Sequence, residues 1–137
     1  MTTEEYLSAR QKKNWKFNSI VNKDAFLDVC RIHPLKQKMV SDIVAAARQD
    51  AAVRKLIVFG SSTRYDCHPA SDLDICIAWN QPCYDSSGVL LPFTGNMRKV
   101  ISGVTGGRAD VVNYDTLGDT VLQAAVQEGV TVYEHDI

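Results

Sequence analysis

The chain has 137 residues, of which 45 % are hydrophobic and 23 % charged, and its formal net charge is −1. These values are typical of one globular domain, and they exclude both a disordered chain and a pair of large domains. The sequence has no long apolar run and no basic leader followed by an apolar segment, so we expect a cytoplasmic protein without a membrane segment. Its four cysteines form no Cys-x-x-Cys pair, which favours reduced thiols.

The charge is distributed unevenly along the chain. Residues 1–55 contain 11 lysines and arginines against 6 aspartates and glutamates, whereas residues 56–137 contain 4 against 10. Residues 1–30 are interpreted as an N-terminal arm or helical extension, and residues 31–137 as the main domain. We expect Leu7, Trp15 and Phe17 to pack on the core or across a homodimer, with the basic residues facing a partner or only solvent. Nucleic acid is disfavoured because the whole chain is net negative.

Helical and strand patterns alternate from residue 24 onward. Asp24 to Cys30 has a helical pattern, and after His33-Pro34 a longer amphipathic helix is predicted up to Asp50. Its apolar stripe is formed by Leu35, Met39, Ile43, Val44 and Ala47. Later helices are predicted over 92–102 and 117–128, and strands over 55–59, 71–79, 108–114 and 130–133. This order predicts an α/β fold, with helices packed on a sheet.

Two aspartates stand one residue apart in the second predicted strand. Because side chains alternate between the faces of a strand, Asp72 and Asp74 emerge on one face and Leu73 on the other. Adjacent carboxylates repel each other unless a positive charge compensates them. Hard oxygen ligands favour Mg²⁺ or Mn²⁺, and Mg²⁺ takes its remaining ligands from water and substrate phosphates. The pair therefore predicts a metal-bound triphosphate at this strand.

The turn after the first strand and an acid in the third complete the predicted site. Gly60-Ser61 follows an apolar strand directly, so its amides and the Ser61 hydroxyl are placed to hold phosphate groups. Asp110 is an acid among apolar residues in the third predicted strand. It is the leading candidate for the third carboxylate of a site that holds two metal ions.

These residues resemble the signature of the DNA polymerase β-like nucleotidyltransferases, in particular the minimal nucleotidyltransferases. The family pattern is Gly-Ser, ten residues and Asp-x-Asp, which Gly60-Ser61 and Asp72-Leu73-Asp74 match without a gap. The resemblance covers about residues 35–135, including Asp110 and the segment 127–133. Further matching positions are Arg64, Asp66, Pro69 and Ser71. Tyr65 stands where many members have glycine, and residues 1–30 have no counterpart.

The resemblance implies a fold, a reaction and a partner. The fold is a small mixed β-sheet flanked by helices, and the reaction transfers a nucleoside monophosphate, expected to be AMP, from a nucleoside triphosphate, expected to be ATP. Asp72, Asp74 and Asp110 are implied as catalytic metal ligands for two Mg²⁺ or Mn²⁺ ions, and Gly60, Ser61 and Arg64 as nucleotide-binding residues. Minimal nucleotidyltransferases commonly act as antitoxins on a HEPN-type toxin. This implies a toxin protein as acceptor.

Several alternatives remain open at this point. The chain could modify an antibiotic or another small molecule, or it could be a partner-binding module without catalysis. Arg64 suits either a phosphate or an acidic side chain in its own loop, and His68 suits a metal, a proton or only solvent. The remaining alternatives concern base stacking against core packing for Trp79, Tyr84 and Phe93, and helix-start roles for Asp115 and Asp119.

Overall fold

The computed structural model describes residues 21, 24–64 and 67–135 of the chain. These residues form three α-helices and four β-strands joined by turns and short 3₁₀ helices. In chain order the elements are α1 (Pro34–Ala47), β1 (Val53–Phe59), β2 (Leu73–Trp79), α2 (Gly95–Thr105), β3 (Ala109–Asn113), α3 (Thr120–Gln127) and β4 (Val130–Glu134). The helices and strands predicted from residue 35 onward are confirmed, with ends that differ by a few residues.

The four strands form one sheet in the order β3-β2-β1-β4. Strand β1 pairs antiparallel with β2 and with β4, while β2 and β3 pair in parallel. A parallel pair requires a crossover connection, which the chain makes through α2. The sheet is therefore mixed, as predicted, and the N-terminal ends of β2 and β3 lie side by side.

The two faces of the sheet are covered unequally. Leu73, Ile75 and Ile77 of β2 are fully buried in the larger core, to which α1 and α2 contribute. The opposite face carries a smaller cluster, in which Val126 of α3 packs on residues of β1 and β2. These residues are Cys76, Ile57 and Phe59. Val112 of β3 packs against the edge of this cluster and is partly buried.

Helix α1 begins with a cap and buries a different set of residues at its start from the predicted stripe. His33 Nδ1 accepts the backbone N–H of Leu35 at 3.1 Å, and Pro34 occupies the first helical position, where no N–H is needed. Leu35 is 49 % exposed, whereas Lys36 and Gln37 are 3 % and 0 % exposed. The prediction that Leu35 belongs to the buried stripe is wrong, because two polar residues take the inward positions.

The residues before α1 do not form the helix that their pattern predicts. The segment Asp24 to Cys30 consists of turns that lead into one 3₁₀ turn at Val29–Arg31. Asp28 has a left-handed backbone with φ of 54°, which no α-helix accommodates. The backbone N–H of Leu27 donates instead to the carbonyl of Val132 at 3.0 Å. Seven residues are too few for a stable helix, so contacts with β4 decide the conformation.

Three other expectations concern the chain as a whole. All four cysteines lie among the described residues, and no disulfide joins any of them. Within residues 21, 24–64 and 67–135, no helix has both the length and the hydropathy needed to cross a bilayer. Leu7, Trp15 and Phe17 lie outside the described residues. The division into an arm over 1–30 and a domain over 31–137 stays a prediction.

Candidate functional site

The parallel pairing of β2 with β3 sets Asp74 directly opposite Asp110. Residues opposite each other in paired strands point to the same face, so both carboxyl groups lie on the face away from α1 and α2. The negative charge of Asp110 acts on Asp74 and raises its pKa. Asp72 precedes β2 by one residue and is exposed, as is Asp110, while Asp74 is half-buried. Two of the three predicted acids are therefore in contact.

Asp74 is a crowded carboxyl group. Burial is the main cause that raises its pKa, and the negative charges of Asp110 and Asp72 raise it further. The guanidinium of Arg64 partly opposes these effects, and the resulting pKa of Asp74 is about 6. Asp72 and Arg64 thus lie near enough to Asp74 for their charges to act on it. A cation bound beside these acids would favour the ionised form of Asp74.

Gly60 lies against Asp74 from the side of β1. Strand β1 pairs Phe59 with Asp74, and Gly60 follows with φ of 72° as the first residue of a 3₁₀ turn over Gly60–Thr63. A Cβ atom on Gly60 would overlap Asp74 Oδ2 and would lie 3.1 Å from Asp74 Cγ. Glycine is therefore required twice here, by the left-handed backbone and by the close approach of the carboxylate.

The turn that contains Ser61 is held by hydrogen bonds of its own. Thr63 Oγ1 donates to the carbonyl of Gly60 at 2.9 Å, and the N–H of Arg64 donates to the carbonyl of Ser61 at 3.0 Å. Ser61 is half-buried, whereas Ser62 is fully buried, and its hydroxyl has no hydrogen-bond partner among the described residues. The predicted phosphate-binding pair Gly60-Ser61 thus adjoins the acids through Asp74.

The acids fit a metal ion that arrives with its substrate. The described part of the chain contains no group of three or more His, Cys, Asp or Glu side chains placed to hold one ion. Asp74 and Asp110 are nevertheless in contact, and the charge of Asp72 reaches Asp74. Mg²⁺ is commonly bound through one or two carboxylates, with water and substrate phosphates as its other ligands. The donor set fits that mode, and the individual metal assignments of these acids stay predictions.

His68 stabilises its own loop, whereas Arg64 lies near the acids of the site. His68 is exposed, and its Nδ1 accepts the N–H of Ala70 at 3.0 Å, so the imidazole stabilises its own turn. Arg64 is half-buried, and its positive charge lowers the pKa of Asp74. Asp66, an acid of the same loop, lies outside the described residues. A contact of Arg64 with phosphate stays a prediction.

Trp79, the last residue of β2, and Asp119, the acid before α3, serve the fold. Trp79 is 2 % exposed and meets Phe93 edge to face, with ring centroids 5.7 Å apart. Its indole N–H donates to Asn113 Oδ1 at 3.0 Å. Core packing is thus the role of Trp79, and base stacking is not. Asp119 caps α3 by accepting the N–H of Val121 at 2.8 Å, which confirms its helix-start role.

Two cationic side chains that the sequence analysis did not single out contact the segment before Asp72. Lys36 Nζ donates to the carbonyl of Ser71 at 2.6 Å, and the guanidinium of Arg108 donates to the carbonyl of Ala70 at 3.0 Å. Arg108 could have been found from the sequence, since it stands two residues before Asp110. Lys36 lies one helical turn before the buried Val40 and so on the same face of α1. It could have been found from the sequence only if a charged residue had been accepted as part of the buried stripe.

Comparisons with known proteins give a family and several similar structures. Residues 41–137 match the family described as polymerase beta, nucleotidyltransferase. Among solved structures, a toxin–antitoxin with AMP-PNP is similar with a TM-score of 0.51 and 18 % identity, covering 69 % of this chain and 73 % of that chain. A mutant of the toxin–antitoxin MntA–HpeT is similar with a TM-score of 0.50 and 17 % identity, covering 69 % and 72 %.

A third similar structure is the complex of a tri-AMPylated Shewanella oneidensis HEPN toxin with its MNT antitoxin, with a TM-score of 0.49, 19 % identity and 73 % of both chains covered. No curated protein is significantly similar to this chain in sequence. The family match spans well over half of the chain and includes Gly60, the Asp72-x-Asp74 pair and Asp110. The chain therefore belongs to the polymerase β nucleotidyltransferase family.

Proposed function

We propose that this protein transfers a nucleoside monophosphate from a nucleoside triphosphate to an acceptor hydroxyl, with ATP as the donor and AMP as the transferred group. One observation carries the proposal. Across three adjacent strands, Gly60 lies against Asp74, and Asp74 is paired with Asp110. A turn suited to phosphate thus adjoins two carboxyl groups suited to a divalent cation, as the transfer of a phosphorus group requires.

Each residue of the site has a role in this reaction. Asp72, Asp74 and Asp110 would hold Mg²⁺ or Mn²⁺, with two ions expected when the nucleotide is bound. When bound, the cation would neutralise the triphosphate and lower the pKa of the acceptor hydroxyl. The amide of Gly60 and the hydroxyl of Ser61 hold the β and γ phosphates, and the positive charge of Arg64 faces the same anion.

The chemical step is an in-line displacement at the α phosphorus. The acceptor oxygen forms a bond to this phosphorus, the bond from phosphorus to the oxygen shared with the β phosphate breaks, and pyrophosphate leaves. The hydroxyl proton passes to a carboxylate oxygen of Asp110. Asp110 is exposed, so an acceptor hydroxyl can reach it.

A partner protein is the acceptor we favour. Two of the similar structures are toxin–antitoxin assemblies, and one of them contains AMP-PNP. A HEPN-type toxin in the cytoplasm suits these observations, and a homodimer through residues 1–30 stays an expectation.

The test is AMP transfer to a HEPN-type toxin, followed by intact-protein mass spectrometry. The wild-type chain with ATP and Mg²⁺ is expected to add AMP to the toxin. Asp110→Ala is expected to lower turnover by about 100-fold or more while changing triphosphate affinity only a few-fold, because its loss removes a proton acceptor and one metal ligand. Asp115→Ala, at an exposed acid just beyond β3, is the matched control and should transfer normally.

Other outcomes would point elsewhere. Normal turnover by Asp110→Ala would remove this residue from the mechanism. AMP found on a small molecule of a cell lysate, with none on protein, would favour the antibiotic-modifying class. Tight toxin binding without AMP on any acceptor would identify a binding module and refute the proposed transfer.

A further inference from the structure

The backbone of Asp72 is fixed on both sides by contacts with Lys36 and Arg108. On its N-terminal side, the carbonyl of Ser71 accepts a hydrogen bond from Lys36 Nζ at 2.6 Å. On its C-terminal side, the N–H of Leu73 donates to the carbonyl of Arg108 at 2.9 Å. Each peptide unit is planar, so hydrogen bonds to the two units that flank Asp72 restrict its φ and ψ. Its carboxylate then moves mainly through the side-chain torsions.

Lys36 makes this contact from an unusual place. The side chain is 3 % exposed on the inward face of α1, one turn before the fully buried Val40. Lysine is rarely so buried unless its ammonium is paired, because desolvating a charge without a partner is costly. Charge-assisted hydrogen bonds of this length are among the strong ones. An apolar side chain would fill the same position without this cost, so the contact with Ser71 is the feature that a charged donor adds.

A second cation extends the same arrangement by one residue. The guanidinium of Arg108 donates to the carbonyl of Ala70 at 3.0 Å, which fixes the peptide unit before that of Ser71. Three consecutive peptide units leading into β2 are thus held by Lys36 and Arg108. Both side chains therefore contact the segment that connects Gly60 to Asp74.

We propose that Lys36 is a positioning residue, which orients Asp72 for the divalent cation of the transfer reaction. Lys36 touches neither the nucleotide nor the acceptor; it acts through the Ser71 carbonyl on the backbone of Asp72. The inference rests on the proposed function for the identity of the cation. Side chains that orient a metal ligand typically change metal affinity by about 10- to 100-fold when they are removed.

Lys36→Met tests the inference, with Lys38→Met as the matched control. Methionine keeps an unbranched stem and removes the donor, and Lys38 lies on the same helix with its side chain exposed in an ion pair with Asp42. In metal-free protein, hydrogen exchange at the Leu73 amide is expected to rise about tenfold in Lys36→Met, since the start of β2 loses one anchor. Lys38→Met should leave this exchange unchanged.

Manganese affinity is the second readout, measured by titrating Mn²⁺ into each variant. Lys36→Met is expected to raise the dissociation constant about tenfold, and Lys38→Met should not change it. Adding Lys36→Met to Asp72→Asn should have little further effect, because both act on one ligand. Transfer by Lys36→Met should regain most of the wild-type kcat at saturating Mn²⁺, which separates positioning from catalysis.

The outcomes separate this inference from the proposed function. Wild-type Mn²⁺ affinity in a folded Lys36→Met protein, even with a lower melting temperature, would overturn the positioning role and leave the function standing. A wild-type chain that binds Mn²⁺ through Asp72 but transfers no nucleotide would refute the function while the affinity difference still supports the inference. A wild-type chain that binds Mn²⁺ neither alone nor in the presence of ATP would refute both. If Lys36→Met does not fold, Lys36→Gln replaces it, and unchanged affinity there is equally decisive.

Discussion

Replacing Gly60 with alanine is expected to abolish transfer and to lower the free energy of unfolding by about 2 to 4 kcal/mol. Two costs combine in this variant. The left-handed backbone at φ of 72° disfavours any residue with a Cβ atom, and that atom would overlap Asp74 Oδ2. Relief of the overlap must displace either the phosphate-binding turn or the carboxylate of Asp74. Urea unfolding and transfer assays on Gly60→Ala measure the two effects.

Gly106→Ala is the matched control for the backbone term. Gly106 also has a left-handed backbone, with φ of 63°, but a Cβ atom there would meet nothing within 4 Å. This variant should lose only about 1 kcal/mol and keep its activity. Combining Gly60→Ala with Asp74→Ala should remove most of the steric cost, since the two nearest atoms, Asp74 Oδ2 and Cγ, would be gone and the Cβ of Asp74 lies at 3.4 Å. Equal losses at Gly60 and Gly106 would show that the contact with Asp74 has no energetic weight.

Asp74→Asn is expected to reduce transfer by about 1,000-fold or more and, in the metal-free protein, to stabilise the fold. The loss of transfer follows because the central carboxylate of the site becomes a neutral amide. The gain in stability follows because ionised Asp74 is half-buried beside Asp110 and Asp72, which disfavour its charge. The gain should be on the order of 1 kcal/mol, since solvent screens a half-buried group.

The stabilisation by Asp74→Asn should depend on pH in one direction. The pKa of Asp74 is raised to about 6 in the folded protein, so the folded state binds its proton more tightly than the unfolded chain does. The contribution of Asp74 to stability is therefore fully present below about pH 4 and is lost as pH rises through 6. Unfolding measured from pH 4 to 8 should show the wild type losing stability relative to Asp74→Asn. A stability difference between the two proteins that is constant from pH 4 to 8 would contradict the raised pKa of Asp74.

The acids and the glycine of the site could be predicted from the sequence because local rules place them. Alternation along a strand puts Asp72 and Asp74 on one side, and the apolar run before Gly60 marks the end of a buried strand. Asp110 could be nominated as an acid within an apolar strand. Its contact with Asp74 could not be derived in the same way, because it depends on the parallel register of β2 with β3, which a crossover through α2 sets.

The features that escaped prediction depend on tertiary contacts. An apolar stripe assigns Leu35 to the interior, but the structure buries Lys36 and Gln37 there, because Lys36 reaches Ser71 and Gln37 donates to the carbonyl of Ile32 at 3.0 Å. Hydrophobic periodicity cannot identify a buried lysine, because the carbonyl that accepts its hydrogen bond is distant in the sequence. The helix predicted over residues 24–30 is wrong for a similar reason, since the hydrogen bond of this segment to β4 replaces local helix formation.

Transfer of radioactive phosphorus from ATP labelled at either the α or the γ position tests the central claim most directly. With Mg²⁺ and the HEPN-type acceptor, the label of α-labelled ATP should appear on the acceptor and the label of γ-labelled ATP should leave as pyrophosphate, because the bond beyond the α phosphorus is the one that breaks. Asp74→Asn should yield no labelled acceptor. Label from the γ position on the acceptor, or α label transferred undiminished by Asp74→Asn, would contradict nucleotidyl transfer at this site.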